Sequence, residues 1–214
     1  MDCRLARRKI SSDMSDPWEQ PLIATPPQHC SAIAARVCFE KDAPPITIPE
    51  GAIMLGTTSA DSKLDLMSRR SFSGSDSKKS MLDMTPYYDP AFQGVKNPSV
   101  PLVVGVVSDP IPQPSRHKLD TVASAYIHGA CNARCKNTDS HHFVAGDLVY
   151  IVADGAGPNR KLYAASEKMI EKKKADAAFH IAGVLGTCLE NGESGSPFVR
   201  VFVDNSFNTM LSCC

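Results

Sequence analysis

The sequence predicts a mainly β protein, a small β-barrel or β-sandwich with an extended N-terminal arm and one short helix. Three observations point there. Valine-rich runs bounded by Gly, Pro and Asn recur through the second half: PLVVGVVS from Pro101, GDLVYIV from Gly146, HIAGVLGTCL from His180 and FVRVFVD from Phe198. Runs of this length and composition suit strands. A single segment, Ser166 to Asp176, is rich in helix formers, and Pro17, Pro21, Pro26, Pro27, Pro44 and Pro45 interrupt any helix or central strand near the N-terminus.

Taken in order, residues 1–45 form the predicted arm, which is disordered alone or laid across a partner, with the lone Trp18 as an apolar handle for docking. Within it, SAIAARVCFE from Ser31 suits a helix turn or a strand. Residues 46–204 form the β domain, opening on ITIPEGAIMLGTTS, whose alternation with turn residues reads as short strands. A loop-rich insertion follows around residues 60–100, with SFSGSDSKKS exposed and the proline-containing stretch from Met81 wandering over the surface.

PLVVGVVS is the first strong strand, DPIPQPSR a Pro-rich turn of polyproline character, and TVASAYIHG the next strand. GDLVYIVADG runs into a turn at GAGPN, with KLYAA as its hairpin partner. Ser166 is placed to cap a short helix or charged loop, and residues 205–214 are a tail. VVGVVS and IAGVLGT echo one another around a central Gly, Gly105 and Gly183, each followed by an alternating strand. The echo fits one hairpin design used twice, or the ordinary likeness of valine-rich strands.

Composition narrows the function. In 214 residues, 23 Lys and Arg balance 23 Asp and Glu, so net charge gives no reason to expect a nucleic-acid partner. No apolar run of about 20 residues suggests a transmembrane segment, and the basic start lacks a signal peptide's apolar stretch. The eight Cys are scattered rather than regularly spaced, which fits free thiols from a reducing compartment better than a disulfide scaffold.

Four motifs offer chemistry, and each has a plainer explanation. GESGSP at residues 192–197 is similar to the nucleophile loop of chymotrypsin-like serine proteases, which would make Ser194 catalytic. None of His29, His117, His128, His141, His142 or His180 sits in the context expected of its base, and only about twenty residues follow Ser194. Asn191, Gly192, Ser194, Gly195 and Pro197 read better as a turn between strands. Cys131, Cys135, His141 and His142 offer zinc ligands, but adjacent His on a strand face opposite ways.

Cys213 and Cys214 resemble the double-Cys ending of prenylated small GTPases without any phosphate-binding loop, and a cross-linking tail is as good a reading. Lys168 and Lys172 to Lys174 are diluted by Glu167, Glu171 and Asp176, as on a solvated face. The expectation is therefore a non-enzyme, with no catalytic residue, cofactor or metal.

The order of elements carries a resemblance. Gly146 and Asp147 open one strand, Gly183 and Val184 sit in a second, Gly192 and Gly195 form a turn, and Val199, Arg200 and Val201 lie in a third. This arrangement resembles the small β domain of head-decoration and minor capsid (cement) proteins of double-stranded DNA viruses, over about sixty residues. The resemblance implies a virion protein, present in host cytoplasm during assembly, that binds major capsid protein and neighbouring minor capsid proteins within a large assembly. The length, Cys and Pro content suit a large eukaryotic DNA virus. The alternatives from other classes are a serine hydrolase using Ser194 and an adaptor whose Pro-rich turns bind partner domains.

Overall fold

Strand-forming residues dominate the structure, a computed structural model that describes residues 18, 27–38, 47–57, 82–88, 102–113, 120–153, 160–176 and 179–206. The strands are β1 (Gln28–Cys38), β2 (Thr47–Ile48), β3 (Ile53–Thr57), β4 (Leu82–Thr85), β5 (Tyr87–Tyr88), β6 (Leu102–Val107), β7 (Ile111–Pro112), β8 (Asp120–Arg134), β9 (Leu148–Ala153), β10 (Arg160–Ala165), β11 (His180–Cys188) and β12 (Phe198–Asp204). A 3-10 turn (Ser140–His142) precedes β9, and one helix, α1 (Glu167–Lys173), follows β10. The mainly β class is as the sequence predicts. Among the described residues, no helix is long and apolar enough to cross a membrane.

Ten strands form one sheet, and its pairings make two fused circuits rather than one closed barrel. In the first, β8 pairs antiparallel with β1, β1 parallel with β4, β4 with β3, β3 with β6, and β6 returns to β8. In the second, β8 pairs with β12, β12 with β11, β11 with β9, β9 with β10, and Ala164 of β10 meets Cys135 in a parallel bridge just past β8. The long β8 thus serves as last strand of the first circuit and first strand of the second.

The two circuits are one design used twice. In the first, Val106 lies opposite Tyr126 and Val107 opposite Ala125; in the second, Thr187 lies opposite Phe202 and Cys188 opposite Val201. Gly51 N donates to Val107 O at 3.0 Å and Val107 N to Ala52 O at 2.9 Å, while Gly146 N donates to Cys188 O and Cys188 N to Asp147 O, both at 2.8 Å. Gly51 and Gly146, with φ of 78° and 95°, make the same left-handed entry turn into β3 and β9. Ile48 pairs with Ile111 where Gly192 N donates to Phe143 O.

This register refines the echo seen in the sequence. Gly105 pairs with Met54 and Gly186 with Val149, so the counterpart of Gly105 is Gly186, three positions beyond Gly183. A bulge between Val184 and Gly186 hides the match.

Packing follows from the fusion. Ile53 and Leu55 of β3 enter a core with Val149, Ile151, Leu185 and Val201, whereas Met54, on the opposite face, enters a second core with Val37, Met84 and Val107. Because side chains alternate along a strand, β3 is a wall shared by both cores. Inward positions on β8 are small, including Ala125 and Ala133, both fully buried, as the narrow interior of a small strand circuit requires.

Within the arm expected over residues 1–45, the run from Ser31 takes the strand of its two expected forms. Gln28–Cys38 is an integral strand between β4 and β8, because Ala35 and Val37 supply fully buried inward residues despite the flanking prolines. Trp18 is buried too, 6.1 Å from the Tyr87 ring, with Lys161 Nζ 4.9 Å over its face. The other residues of the arm lie outside the described residues. So does most of the insertion, although β4 and β5 fall within it.

Asn205 ties the circuits together where β8 exchanges β6 for β12. Its Oδ1 accepts from Val104 N at 2.7 Å, and its Nδ2 donates to Val104 O at 3.0 Å and Ile127 O at 2.7 Å. Replacing Asn205 with Ala should cost about 2–4 kcal/mol in urea unfolding, because backbone groups of Val104 and Ile127 lose their partners together. Gly186→Ala should cost more than about 3 kcal/mol, since a Cβ there would sit 1.9 Å from Phe202 O. The equivalent Gly105→Ala meets the flexible end of Met84 at 2.9 Å and should cost about 1 kcal/mol. Equal costs for the two glycines would contradict the packing described.

Candidate functional site

The second circuit brings together most residues that the sequence singles out, around the turn from Glu190 to Pro197. Three hydrogen bonds seat this turn on the 3-10 segment. Asn191 Oδ1 accepts from Ala145 N at 3.0 Å, Gly192 N donates to Phe143 O at 2.9 Å, and Gly195 N donates to Ser140 Oγ at 3.0 Å. A Cβ at residue 192 would fall 1.8 Å from Ser140 O, so glycine is required by the close approach.

Beneath lies a buried polar knot that the sequence does not announce. Asp139 and Ser140 are fully buried, and Ser166 nearly so. Ser166 N donates to Asp139 Oδ2 at 2.7 Å, Ser166 Oγ donates to Asp139 Oδ1, and Ser166 Oγ accepts from Met169 N at 3.2 Å. Ser166 is thus the N-cap that the sequence predicts, and the acidic residue holding that cap is 27 positions away. Charge-assisted bonds compensate a carboxylate that would otherwise be costly to bury. The knot fixes α1 to the turn bearing His141 and His142.

Ser194 is exposed at the tip of the seated turn. Its hydroxyl has no hydrogen-bond partner among the described residues. Three backbone donors around it are already used: Gly192 N and Gly195 N hold the turn down, and Ser196 N donates to Glu193 O at 3.1 Å. An oxyanion hole needs such donors free and convergent. Asp139, the buried acid nearest in sequence to the histidine pair, has both oxygens on Ser166.

The histidines serve different surroundings. His128 packs edge-on to Phe202 at 4.9 Å, and the rings of His141 and His142 lie 3.8 Å apart. Desolvation, then the His141 ring, lowers the His142 pKa, with Lys168 and Lys172 adding and Asp139 opposing. His29 and His180 lie on β1 and β11, and His117 lies outside the described residues.

The proposed zinc ligands are not brought together, and no group of three metal-binding side chains converges among the described residues. Cys131 and Cys135 face the core, whereas His141 is exposed. The repeat explains the thiols. Cys135 occupies the place of Val37, Cys188 that of Val107, and Cys131 that of Ile33, as the matched registers show. Sulfur substitutes for branched carbon in a packed interior.

Burial pushes the Cys131 thiol up to about 12, with Cys30 adding and Arg200 opposing, and pushes that of Cys135 well above its ordinary value, with Asp139 and Cys188 adding. Lys168, Lys172 and Lys174 are exposed, the solvated face expected of α1. Cys213 and Cys214 lie outside the described residues.

No family model, curated protein or solved structure matches this chain.

The double substitution Cys135→Val and Cys188→Val, copying the first circuit, should leave the fold intact at a cost below about 1.5 kcal/mol for each site. It should also flatten alkaline unfolding. The buried thiols stay protonated while unfolded ones ionise from about pH 8.5, so they favour folding fully below that pH and lose that contribution as pH rises toward their raised values. Unfolding midpoints measured from pH 8 to 11 check both statements; an unchanged pH slope in the variant would exclude the thiols as its source.

Proposed function

We propose that this chain is a structural protein of a viral shell, a minor capsid or cement protein that binds major capsid protein and stabilises the assembled particle. The observation that carries the reading is how its polar side chains are used. Asp139, Ser140, Ser166, Asn191 and Asn205 are all engaged in seating turns and joining circuits. Arg134 joins them, its Nε donating to Glu50 O at 2.7 Å and its guanidinium lying 4.7 Å from the Phe198 ring centroid. A body whose polar groups serve rigidity suits a wedge between larger subunits.

The elements behind the resemblance support the same reading. Gly146 and Asp147 make the entry turn into β9, Gly183 and Val184 lie in β11, and Val199, Arg200 and Val201 lie in β12. Together they build three walls of the second circuit. Its neighbours in the shell would be other minor capsid proteins as well as the major subunit. Neither nucleic acid nor a cofactor enters this role.

Limited proteolysis of the free chain, compared with purified particles, tests the reading. The free protein should yield a resistant core and lose residues upstream of Trp18 first, and the same bonds should be protected in the particle. Cross-linking of particles should join the chain to the major capsid subunit. Absence from purified particles, or equal cleavage in both states, would sink the proposal.

A further inference from the structure

The internal repeat allows each surface position of one circuit to be compared with its counterpart in the other, and one comparison stands out. In the second circuit Leu189 N donates to Arg200 O at 2.9 Å; in the first, Ser108 N donates to Ser124 O at 3.3 Å. Glu190 therefore corresponds to Asp109, and Arg200 to Ser124. Arg200 Nε lies 3.4 Å from Glu190 Oε1, and the Arg200 side chain is 7% exposed. An acidic residue just past the strand thus receives a guanidinium from the neighbouring strand.

Among the described residues, the first circuit keeps the acid and has Ser124 in the place of the base. Asp109 remains, and its Oδ2 accepts from Ser108 Oγ at 3.0 Å, while that hydroxyl also lies 3.0 Å from Ser124 O. The short Ser124 leaves space in front of it. A recess of about 360 Å³ opens there, lined by Asp109, Ile111, Pro112, Thr121, Val122 and Ser124. Val122 in its lining is 53% exposed, offering an apolar surface to the methylene stem of a long side chain.

We propose that this recess receives an arginine side chain from a partner protein, its guanidinium meeting Asp109 as that of Arg200 meets Glu190. The occupant is arginine rather than lysine because the internal counterpart is a planar guanidinium whose Nε faces the acid, a contact an ammonium does not reproduce. The inference stands apart from the capsid reading. It requires an arginine-bearing segment of any partner, and rests on the cavity and the repeat.

The full chain, titrated with acetyl-Gly-Arg-Gly-amide and followed by amide NMR shifts, provides the test. Saturable shifts at Asp109, Thr121 and Ser124 are expected, with affinity at least about fivefold above that for acetyl-Gly-Lys-Gly-amide. Asp109→Asn should remove the preference. Ser124→Arg should place a guanidinium in the recess from within and abolish binding while retaining the folded spectrum. Shifts that do not saturate, equal response to the lysine peptide, or unchanged binding in folded Ser124→Arg would each overturn the assignment.

Discussion

A β-strand has only two hydrogen-bonding edges, and the whole molecule depends on how β8 divides them. One edge is taken by β1 over most of its length; the other is given to β6 at Ala125 and Tyr126 and to β12 from His128 onward. This division makes a ten-stranded sheet curl into two circuits instead of extending flat, and it forces the rest. Walls such as β3 become two-faced, inward residues on β8 must be small, and the place where the partner changes needs the Asn205 clasp. Twisted sheets with many strands commonly fold over or split; here a shared strand achieves this without an interdomain linker.

Polar groups in the interior answer the demands of that arrangement. Wherever a turn must approach a strand end closely, a side chain reaches across long sequence distances to satisfy a backbone group, as Ser140 does for Gly195 and Arg134 for Glu50. Such contacts rigidify only when fully satisfied. The same logic unites the thiols with the valines of the other circuit, since both answer to volume and apolarity rather than reactivity.

Most of the strands were legible in the sequence because their alternation is local: β6, β9, β11 and β12 fall where the valine-rich runs are, β2, β3, β8 and β10 fall in ITIPEGAIMLGTTS, TVASAYIHG and KLYAA, Ser166 caps the helix, and the Ser194 segment is a turn. β1 was legible only in part: SAIAARVCFE suited a strand or a helix turn, and the partners that bury Ala35 and Val37, which decide for the strand, are distant in sequence. The repeat showed only as a faint echo. Bulges shift the glycines, turn lengths differ, and Cys stands where the other circuit has Val, so register rather than residue identity preserves it. Asp139 was invisible as a structural residue because nothing local announces that its partner is Ser166. The recess before Asp109 was equally hidden, since its meaning depends on a counterpart at Glu190 and Arg200.

The double duty of β8 also sets an order for synthesis. Once Arg134 has emerged, the chain holds every strand of the first circuit, and β8 is paired on both sides at Ala125 and Tyr126. Its trailing part still presents one open edge, awaiting β12, which is made last. During that interval an unpaired strand bearing Cys131 and Cys135 is available to other chains or to oxidants. The vulnerable species is thus a half-built molecule, and a nascent-chain chaperone would find its binding site on the strand that later becomes the best protected.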